Sequence, residues 1–353
     1  PAGTLFDQRR IDLRADLGRP RATGVEAAAA RGVQRAGHLA AHHGARGDFK
    51  GAAAHLEEAL ALESGNPRKV ARLTGNLGRI RVLTGQWIQA EADLKHALQW
   101  NLENNEETSE AINLLSLGYL NLRKRDFAQA GRQLDKAAVL IARLDMKRER
   151  VIHLEYAGEL AFERGEILKA KNLFYEAYQG GRLIAPESAL VSQASRRLAE
   201  AELLLDNVDD SMRYAQKGLE IAIQLGERTE IAMSHRVIAR IFDVRGNDAD
   251  ALENITRAVE VARQVGDPYD VAQTLLAFAD MQSKNDAADP EAIRSALDES
   301  ARIFKKLKLD YWQAETDFRS GISACQRGDL ARGFRKLSRA EKVFASLDDR
   351  TKV

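Results

Sequence analysis

Apolar positions recur along this chain with a period of about 40 residues. In each period a small residue, a large apolar residue and a second small residue follow one another in steps of four and three. Because such steps return to one face of an α-helix, each triad predicts a helix that buries a single stripe. The triads are Ala52/Leu56/Ala59, Ala90/Leu94/Ala97, Ala130/Leu134/Ala137, Ala170/Phe174/Ala177, Ala251/Ile255/Ala258 and Gly333/Leu337/Ala340, with two degenerate copies at Ser211/Ala215/Gly218 and Ile293/Leu297/Ser300.

A second marker precedes each triad. It is a glycine or alanine on the predicted first helix of each pair, often preceded by leucine, and is here called the anchor. Successive anchors lie 38, 40, 40, 41, 40, 40 and 42 residues apart. They are Ala40, Gly78, Gly118, Gly158, Ala199, Ala239, Ala279 and Gly321. Turn positions are predicted seven residues after each anchor, at Gly47, Gly85, Arg125, Gly165, Asp206, Gly246, Asp286 and Gly328.

Together the two markers predict a repeat of two antiparallel helices joined by a tight turn. Small residues let the two helix axes approach closely, and the large residue of the triad fills the space opposite. Each pair can bury its apolar face only against its neighbours, so the pairs stack into a continuous core. The predicted fold class is therefore all-α, an α-solenoid.

The repeat resembles the tetratricopeptide repeat (TPR), whose small residues at the eighth, twentieth and twenty-seventh positions match the anchors and the triads. The resemblance implies a right-handed superhelix of about eight helix-turn-helix repeats over residues 25–353, preceded by a linker or capping segment at residues 1–24. The usual period is about 34 residues, so helices longer by up to about a turn are expected. Long repeats of this kind are similar to the TPR arrays of bacterial signalling and transcription regulators, such as the sensor domains of MalT-like activators.

Composition narrows the possible functions without naming one. The 53 basic residues nearly balance the 52 acidic ones, so overall charge favours neither direct nucleic-acid binding nor a membrane surface. A single cysteine fits a reducing compartment and predicts a cytoplasmic location. The sequence contains no phosphate-binding loop, dinucleotide fingerprint or metalloprotease motif. We therefore expect neither catalysis nor a bound cofactor.

Three candidate features for chemistry have simpler interpretations. His38 and His42 lie four residues apart, beside His43, and could share a metal, but no carboxylate or cysteine completes the set. No metal site is predicted. Cys325 is interpreted as a small packing residue. The tryptophans, Trp87, Trp100 and Trp312, are interpreted as core or capping residues near helix ends.

The family resemblance implies that the first helices line a concave groove that binds a protein segment. The predicted groove residues are Asn76, Arg79, Tyr119, Tyr156, Glu159, Arg196, Arg197, Glu200, Arg236 and Arg240. Asn76 occupies the position of the asparagine that in peptide-binding relatives holds the ligand backbone. Four of the arginines, Arg196, Arg197, Arg236 and Arg240, would form a cluster able to bind carboxylates or phosphates. The alternative is an internal lattice of ion pairs, since Glu159, Glu200 and Asp243 lie near the cluster.

The resulting hypothesis is a protein–protein interaction module, the sensor or regulatory domain of a bacterial regulator, with a protein or peptide partner. A sensor for a small molecule or short peptide is the alternative. No polar capping element follows the last predicted helix, so homodimerisation through that end stays open.

Overall fold

The computed structural model describes residues 48–63, 65–284 and 288–347, which form fifteen α-helices and no strand. The predicted all-α class is therefore confirmed. In chain order the helices are α1 (Phe49–Leu62), α2 (Pro67–Leu83), α3 (Trp87–Glu103), α4 (Glu107–Arg123), α5 (Phe127–Arg143), α6 (Lys147–Glu163), α7 (Ile167–Ile184), α8 (Ala189–Leu204), α9 (Val208–Leu225), α10 (Arg228–Val244), α11 (Asp248–Val265), α12 (Pro268–Gln282), α13 (Pro290–Leu307), α14 (Asp310–Gln326) and α15 (Leu330–Ser346).

The chain divides into two compact units, unit 1 ending at Glu227 and unit 2 beginning at Arg228. Even-numbered helices are the first helices of the repeats, and odd-numbered helices are the second. The predicted segment 1–24 and the first anchor, Ala40, lie outside the described residues. Among the helices that the structure describes, none combines the length and apolar composition needed to span a bilayer.

The turns inside the repeats lie where the sequence predicts them. All six predicted turn residues in the described ranges have a left-handed backbone, with φ between 61° and 83°: Gly85, Arg125, Gly165, Asp206, Gly246 and Gly328. A residue in this conformation ends a helix and turns the chain back within about three residues. Gly47 and Asp286 lie outside the described residues.

Several helices start at side-chain caps that the sequence encodes. Asp48, Asp126 and Asp329 each accept a hydrogen bond from the backbone N–H three residues later, at 2.9–3.1 Å. Asn66 caps α2 in the same way and is followed by proline, which suits the first position of a helix.

The core of each repeat joins an anchor to a triad. The large residues Leu94, Leu134 and Phe174 are at most 2% exposed. A β-carbon built on Gly158 would lie 2.6 Å from the Phe174 ring, so only glycine fits at this helix contact. Gly78, Gly118 and Gly321 are equally close to the leucine opposite, at 2.7–2.8 Å. The anchors therefore act as predicted, by letting a large side chain lie against the backbone.

Two tryptophans have structural roles. Trp87 is 6% exposed, and its Nε1 donates to the Val82 carbonyl oxygen at 2.9 Å, which ties the start of α3 to the end of α2. Trp312 stacks on Phe304, with ring centroids 5.8 Å apart, and meets Tyr269 edge to face. For these two residues the interpretation as core or capping side chains is confirmed.

Candidate functional site

The first helices of successive repeats in unit 1 contact one another, from α2 to α4, from α4 to α6 and from α6 to α8. We call the side-chain surface of these four helices the first-helix surface. Eight of the ten predicted groove residues lie on these helices: Asn76, Arg79, Tyr119, Tyr156, Glu159, Arg196, Arg197 and Glu200.

A stacked pair of tyrosines joins two repeats on this surface. The rings of Tyr119 on α4 and Tyr156 on α6 lie 4.7 Å apart with planes inclined by 16°. Arg123, one turn after Tyr119, donates from Nε to the Tyr119 hydroxyl oxygen at 2.8 Å. Its guanidinium also lies 4.9 Å from the Tyr119 ring centroid. The pair thus forms an ordered aromatic platform, in which Arg123 holds Tyr119 in place.

A buried ion network joins α6 to α8. Arg197 contacts Glu159 at 2.7 Å and Glu200 at 3.1 Å, and Arg196 contacts Glu200 at 3.4 Å. All four side chains are between 5% and 17% exposed. Burial acts to lower the pKa of Arg197, but the neighbouring glutamates outweigh it and hold this pKa well above its ordinary value. Each charge therefore has a partner of opposite sign within the protein, while the buried Arg197 Nε makes no hydrogen bond with a residue that the structure describes.

This network is the internal arrangement that the sequence left open as an alternative. Because each of the four groups already has a partner of opposite charge, a ligand would have to compete for it. Contact between these four residues and a ligand stays a prediction.

Two other polar groups are not used by the fold. The side-chain amide of Asn76 and the hydroxyl of Tyr156 make no hydrogen bond with any residue that the structure describes, and both residues are half-buried. Burial, with Tyr119 and nearby glutamates, raises the pKa of Tyr156 well above its ordinary value. The hydroxyl therefore stays protonated at neutral pH, so it can donate to a ligand, and the amide can both donate and accept.

Positive charge gathers near these two groups. Burial and the charge of Arg148 on α6 lower the pKa of Arg79 on α2, while Tyr156 acts in the opposite direction. An arginine remains charged at neutral pH in such a setting. Two cations from different helices thus share one part of the first-helix surface.

Reasoning from the sequence missed Arg72, Arg123 and Arg148 on this surface. Arg72 lies four residues before Asn76, and Arg123 lies four residues after Tyr119, so each extends a stripe that was already identified. Helical spacing could therefore have identified Arg72 and Arg123. The prediction used only the family's usual groove positions, which do not include the residues one turn further along the helix.

Unit 2 contains the remaining two predicted residues, both on α10. Arg236 is half-buried and Arg240 is exposed. Asp243, expected to neutralise arginines, pairs with Lys284 at 2.6 Å. Since Arg196 and Arg197 belong to unit 1, neither unit by itself contains the predicted four-arginine cluster. Ligand contact by Arg236 and Arg240 stays a prediction.

A further ion network in unit 2 was not predicted. Arg319 on α14 donates from Nε to both carboxylate oxygens of Asp280 on α12, at 2.7 and 2.9 Å, and also bonds Glu315. Burial raises the pKa of Asp280 although Arg319 opposes the change. Arg319 occupies the same position in its repeat as Asn76 and Arg197 do in theirs. This shared position could have identified Arg319 from the sequence.

The described residues offer no alternative site with metal-binding geometry, since no three His, Cys, Asp or Glu side chains among them are grouped to hold an ion. His38, His42 and His43 lie outside these ranges. Nearby His55 contacts Glu58 at 3.4 Å.

No protein-family model matches this chain, and no curated protein sequence matches it. Several solved structures, however, are similar to this chain in fold. The Rap conjugation gene regulator of the plasmid pLS20, in complex with the Phr* peptide, has a TM-score of 0.68 at 12% identity, with 84% of this chain and 80% of that chain covered. Aspartyl phosphate phosphatase F from Bacillus subtilis has a TM-score of 0.56 at 10% identity, with coverages of 92% and 95%.

A third structure is the Signal Transduction ATPase with Numerous Domains from Pyrococcus horikoshii, which carries a tetratricopeptide repeat sensor. Its TM-score is 0.52 at 13% identity, with 86% of this chain and 46% of that chain covered. At such low identities these likenesses establish the fold.

Proposed function

We propose that this chain, which has the fold of the tetratricopeptide-repeat proteins, is a non-catalytic interaction module that binds a protein segment on the first-helix surface of unit 1. One observation carries the proposal. Asn76 and Tyr156, both on the first-helix surface, present polar groups that the fold does not use, and Tyr156 also belongs to the Tyr119–Tyr156 stack. An aromatic platform with nearby unused donors and acceptors is the composition expected of a peptide-binding surface.

Binding would use three kinds of contact. The tyrosine stack provides apolar area at little entropic cost, because the two rings are already ordered. The Asn76 amide can hold a backbone N–H and C=O of an extended segment, and the Tyr156 hydroxyl can donate to one acceptor. The buried network of Arg197 keeps α6 and α8 in place, so the surface is formed before the ligand arrives.

We further propose that the module is the sensor or regulatory part of a bacterial signalling or transcription regulator in the cytoplasm. The long repeats support this, as does the tetratricopeptide repeat sensor of the Pyrococcus horikoshii protein. Repeat units rotate slightly against one another, so a bound segment could alter the array and a domain next to it.

A second candidate function is a sensor for a short peptide or a small molecule. The observation that favours it is that the structure of the pLS20 regulator contains the Phr* peptide. A short ligand needs only the tyrosine stack and its polar neighbours, whereas a longer protein segment must reach further along α6 and α8.

That the chain is non-catalytic is also a proposal. Phosphatase activity is the activity to test, because one protein with this fold is named a phosphatase. We expect no release of phosphate from aspartyl-phosphate proteins or from p-nitrophenyl phosphate above the rate without protein. Turnover that copurifies with the chain and is abolished by a first-helix substitution would overturn this part.

The direct test selects ligands from a library of random 12-residue peptides displayed on phage, against the full chain. Selected peptides are then measured by fluorescence anisotropy against Asn76→Ala/Tyr156→Phe. The matched control is Asn172→Ala/Tyr175→Phe, which removes the same groups from exposed positions on the second helix α7.

We expect the first double variant to lose about tenfold or more in affinity and the control to lose none, since each polar contact contributes roughly 1 kcal/mol. Asn76 and Tyr156 make no hydrogen bond within the described residues, and Tyr175 of the control loses only an exposed one from Gln179, so both double variants should fold normally by circular dichroism. Equal affinity of the two variants, or a library that yields no binder, would refute the proposed site.

A further inference from the structure

The second helix α15 presents an apolar face that no helix of the described residues covers. Leu330 and Phe334, four residues apart on this face, are 54% and 65% exposed. We infer that this face binds an acidic amphipathic helix of a partner protein, which packs on α15 as the first helix of a following repeat would. The face belongs to a second helix of unit 2, so the inference does not depend on the first-helix surface of unit 1.

The position of Phe334 in its repeat contacts the following repeat elsewhere in the chain. Phe334 directly follows the first small residue of its triad, and the equivalent residues of four earlier repeats are Glu91, Gly131, Lys171 and Leu252. Glu91 pairs with Lys124 at the end of α4 at 2.8 Å, and Lys171 pairs with Glu202 of α8 at 3.0 Å. A β-carbon on Gly131 would lie 3.6 Å from Leu160 of α6. Leu252 joins a cluster with Phe278 of α12. Phe334 thus occupies a position where a first helix docks.

Incomplete burial of the α15 triad supports the same conclusion. In the other seven triads the central residue is at most 3% exposed. Leu337, the central residue of the α15 triad, is only half-buried, although it lies against its own anchor Gly321 as the others do. The difference is that no described helix follows α15. A helix docked on this face would bury Leu337 together with Leu330 and Phe334, and burial of apolar side chains drives association.

The charge of α15 indicates the chemistry of the partner. Between Leu330 and Ser346 the helix carries five basic residues and one acidic residue. Three of the basic residues pair with aspartates of the fold, namely Arg332, Lys336 and Arg339. Arg335 and Lys342 are exposed and form no ion pair with a residue that the structure describes. They lie seven residues apart, so they share a stripe beside the one that carries Phe334. Carboxylates along the edge of a partner helix would compensate these two cations.

A second copy of this chain matches the same face poorly. In a symmetric dimer the same patch meets itself, so two basic helices would face each other and their like charges would oppose association. An anionic membrane is the other surface that a basic helix with exposed apolar residues can meet. The repeat position favours a helix over a membrane, because residues equivalent to Phe334 contact helices.

The test uses three designed helical peptides of about 20 residues, long enough to form a helix in water. They share one stripe of leucines on an alanine background, and the positions beside the stripe carry glutamate, glutamine or lysine. Each peptide is labelled with fluorescein and titrated into the full chain at low and moderate salt, and anisotropy measures binding. The apolar variant is Phe334→Ser. Its control is Leu168→Ser, because Leu168 is 67% exposed on the second helix α7.

A second pair of variants tests the charges. Arg335→Gln/Lys342→Gln removes the two cations beside the apolar face. The matched control is Arg213→Gln/Lys217→Gln, which removes the same residue types from the second helix α9, where each has a carboxylate partner. Circular dichroism checks that all four variants fold, as expected for substitutions of exposed side chains.

We expect the glutamate peptide to bind at least about tenfold more tightly than the glutamine peptide, and this binding to weaken as salt rises. Phe334→Ser should weaken it about tenfold or more, because an aromatic anchor is lost. Arg335→Gln/Lys342→Gln should weaken it about fivefold and reduce its salt dependence, and both controls should change it by less than about twofold.

Three results with the peptides would overturn the inference. They are no binding by any of the three peptides, equal binding of the glutamate and glutamine peptides, and equal effects of Phe334→Ser and Leu168→Ser.

Sedimentation of the chain, alone and with phosphatidylserine vesicles, tests the other two occupants. A wild-type dimer that Phe334→Ser converts to a monomer would assign the face to a second copy. Vesicle binding that Phe334→Ser abolishes would assign it to a membrane. Either result would overturn the inference, and a monomer that does not bind vesicles would support it.

Discussion

Gly158 has no room for a β-carbon, because the Phe174 ring lies where the methyl group would be. This contact makes the small anchor residue a packing requirement rather than a local backbone preference. Alanine is normally favoured over glycine inside a helix by about 1 kcal/mol. The steric conflict and the propensity therefore oppose each other at this position.

We predict that the conflict is the larger effect. Gly158→Ala should lower the free energy of unfolding by about 1–3 kcal/mol, because the ring must shift within a closely packed core. Gly131→Ala on α5 is the control, since its nearest side-chain atom lies at an ordinary 3.6 Å, and it should raise stability by about 0.5–1 kcal/mol. Urea denaturation of both variants measures the difference; two changes of the same sign would contradict it.

Arg197 provides the second prediction at this scale. Arg197→Ala leaves Glu159 buried without its cation and Glu200 with Arg196 alone, so stability should fall by about 2–4 kcal/mol. Arg213→Ala removes an exposed partner of Asp210 and should cost at most about 0.5 kcal/mol. Thermal or urea unfolding compares them. A loss below about 1 kcal/mol for Arg197→Ala would mean that the network does not hold the surface in place.

At the scale of the helix, the ends were the most predictable part of the fold. Turn residues lie seven positions after each anchor, and all those in the described ranges are left-handed. Both signals are local: the spacing follows from the helical period, and the turn follows from the few conformations that end a helix. Arg125 and Asp206 were found by register alone, since neither is a glycine.

One helix end suggests a stabilising change. The second helices α9 and α11 are each followed by a left-handed glycine, Gly226 and Gly266, whereas α13 is followed by Lys308 in the same conformation, with φ of 58°. Lys308→Gly should raise the free energy of unfolding by about 0.5–1 kcal/mol, because glycine adopts this conformation without strain.

The matched control is Lys306→Gly, two residues earlier within α13. There glycine should lower stability by up to about 1 kcal/mol, since it weakens a helix. Chemical denaturation of both variants is the measurement. A loss of stability in Lys308→Gly would show that the lysine side chain contributes more than its backbone costs.

At the scale of the whole molecule, the ion pairs were less predictable than the repeats. Arg125 pairs with Glu163 and Arg263 with Glu299, each about one repeat away. The register places such residues near each other, but the choice of partner depends on side-chain conformations that no periodicity encodes. The sequence also gives no sign of the division after Glu227, because the anchors on either side keep the repeat spacing of 40 residues.

The candidate site was predicted in part for the same reason. Tyr119 and Tyr156 were placed on one surface from their register, but not their stacking. Arg123 and Arg148 were missed because they lie outside the family's usual positions. A site made of side chains from several repeats depends on how those repeats stack, which local sequence does not determine.

Two half-buried histidines predict how the stability of the protein responds to acid. Burial lowers the pKa of His153 in unit 1 and of His235 in unit 2. The unfolded chain therefore takes up these protons at a higher pH than the folded protein. Their neutral forms support stability above the unfolded value of about 6.5, and that support is lost as the pH falls through the folded values.

Stability should accordingly decrease between about pH 7.5 and about pH 5.5. In His153→Gln the decrease should be smaller than in the wild type, and in the control His96→Gln, an exposed histidine on α3, it should be unchanged. Urea titrations across this range test the expectation. A wild-type slope that persists in His153→Gln would assign the effect to other groups.

The contact between Gly158 and Phe174 also limits the order in which substitutions at these two positions can accumulate during evolution. A larger residue at position 158 is tolerated only after position 174 has become smaller, whereas a smaller residue at 174 leaves a cavity that the protein can survive. The same order applies to Gly118 opposite Leu134. Substitutions at these paired positions should therefore appear together in descendants, and a laboratory lineage should acquire the change on the second helix first.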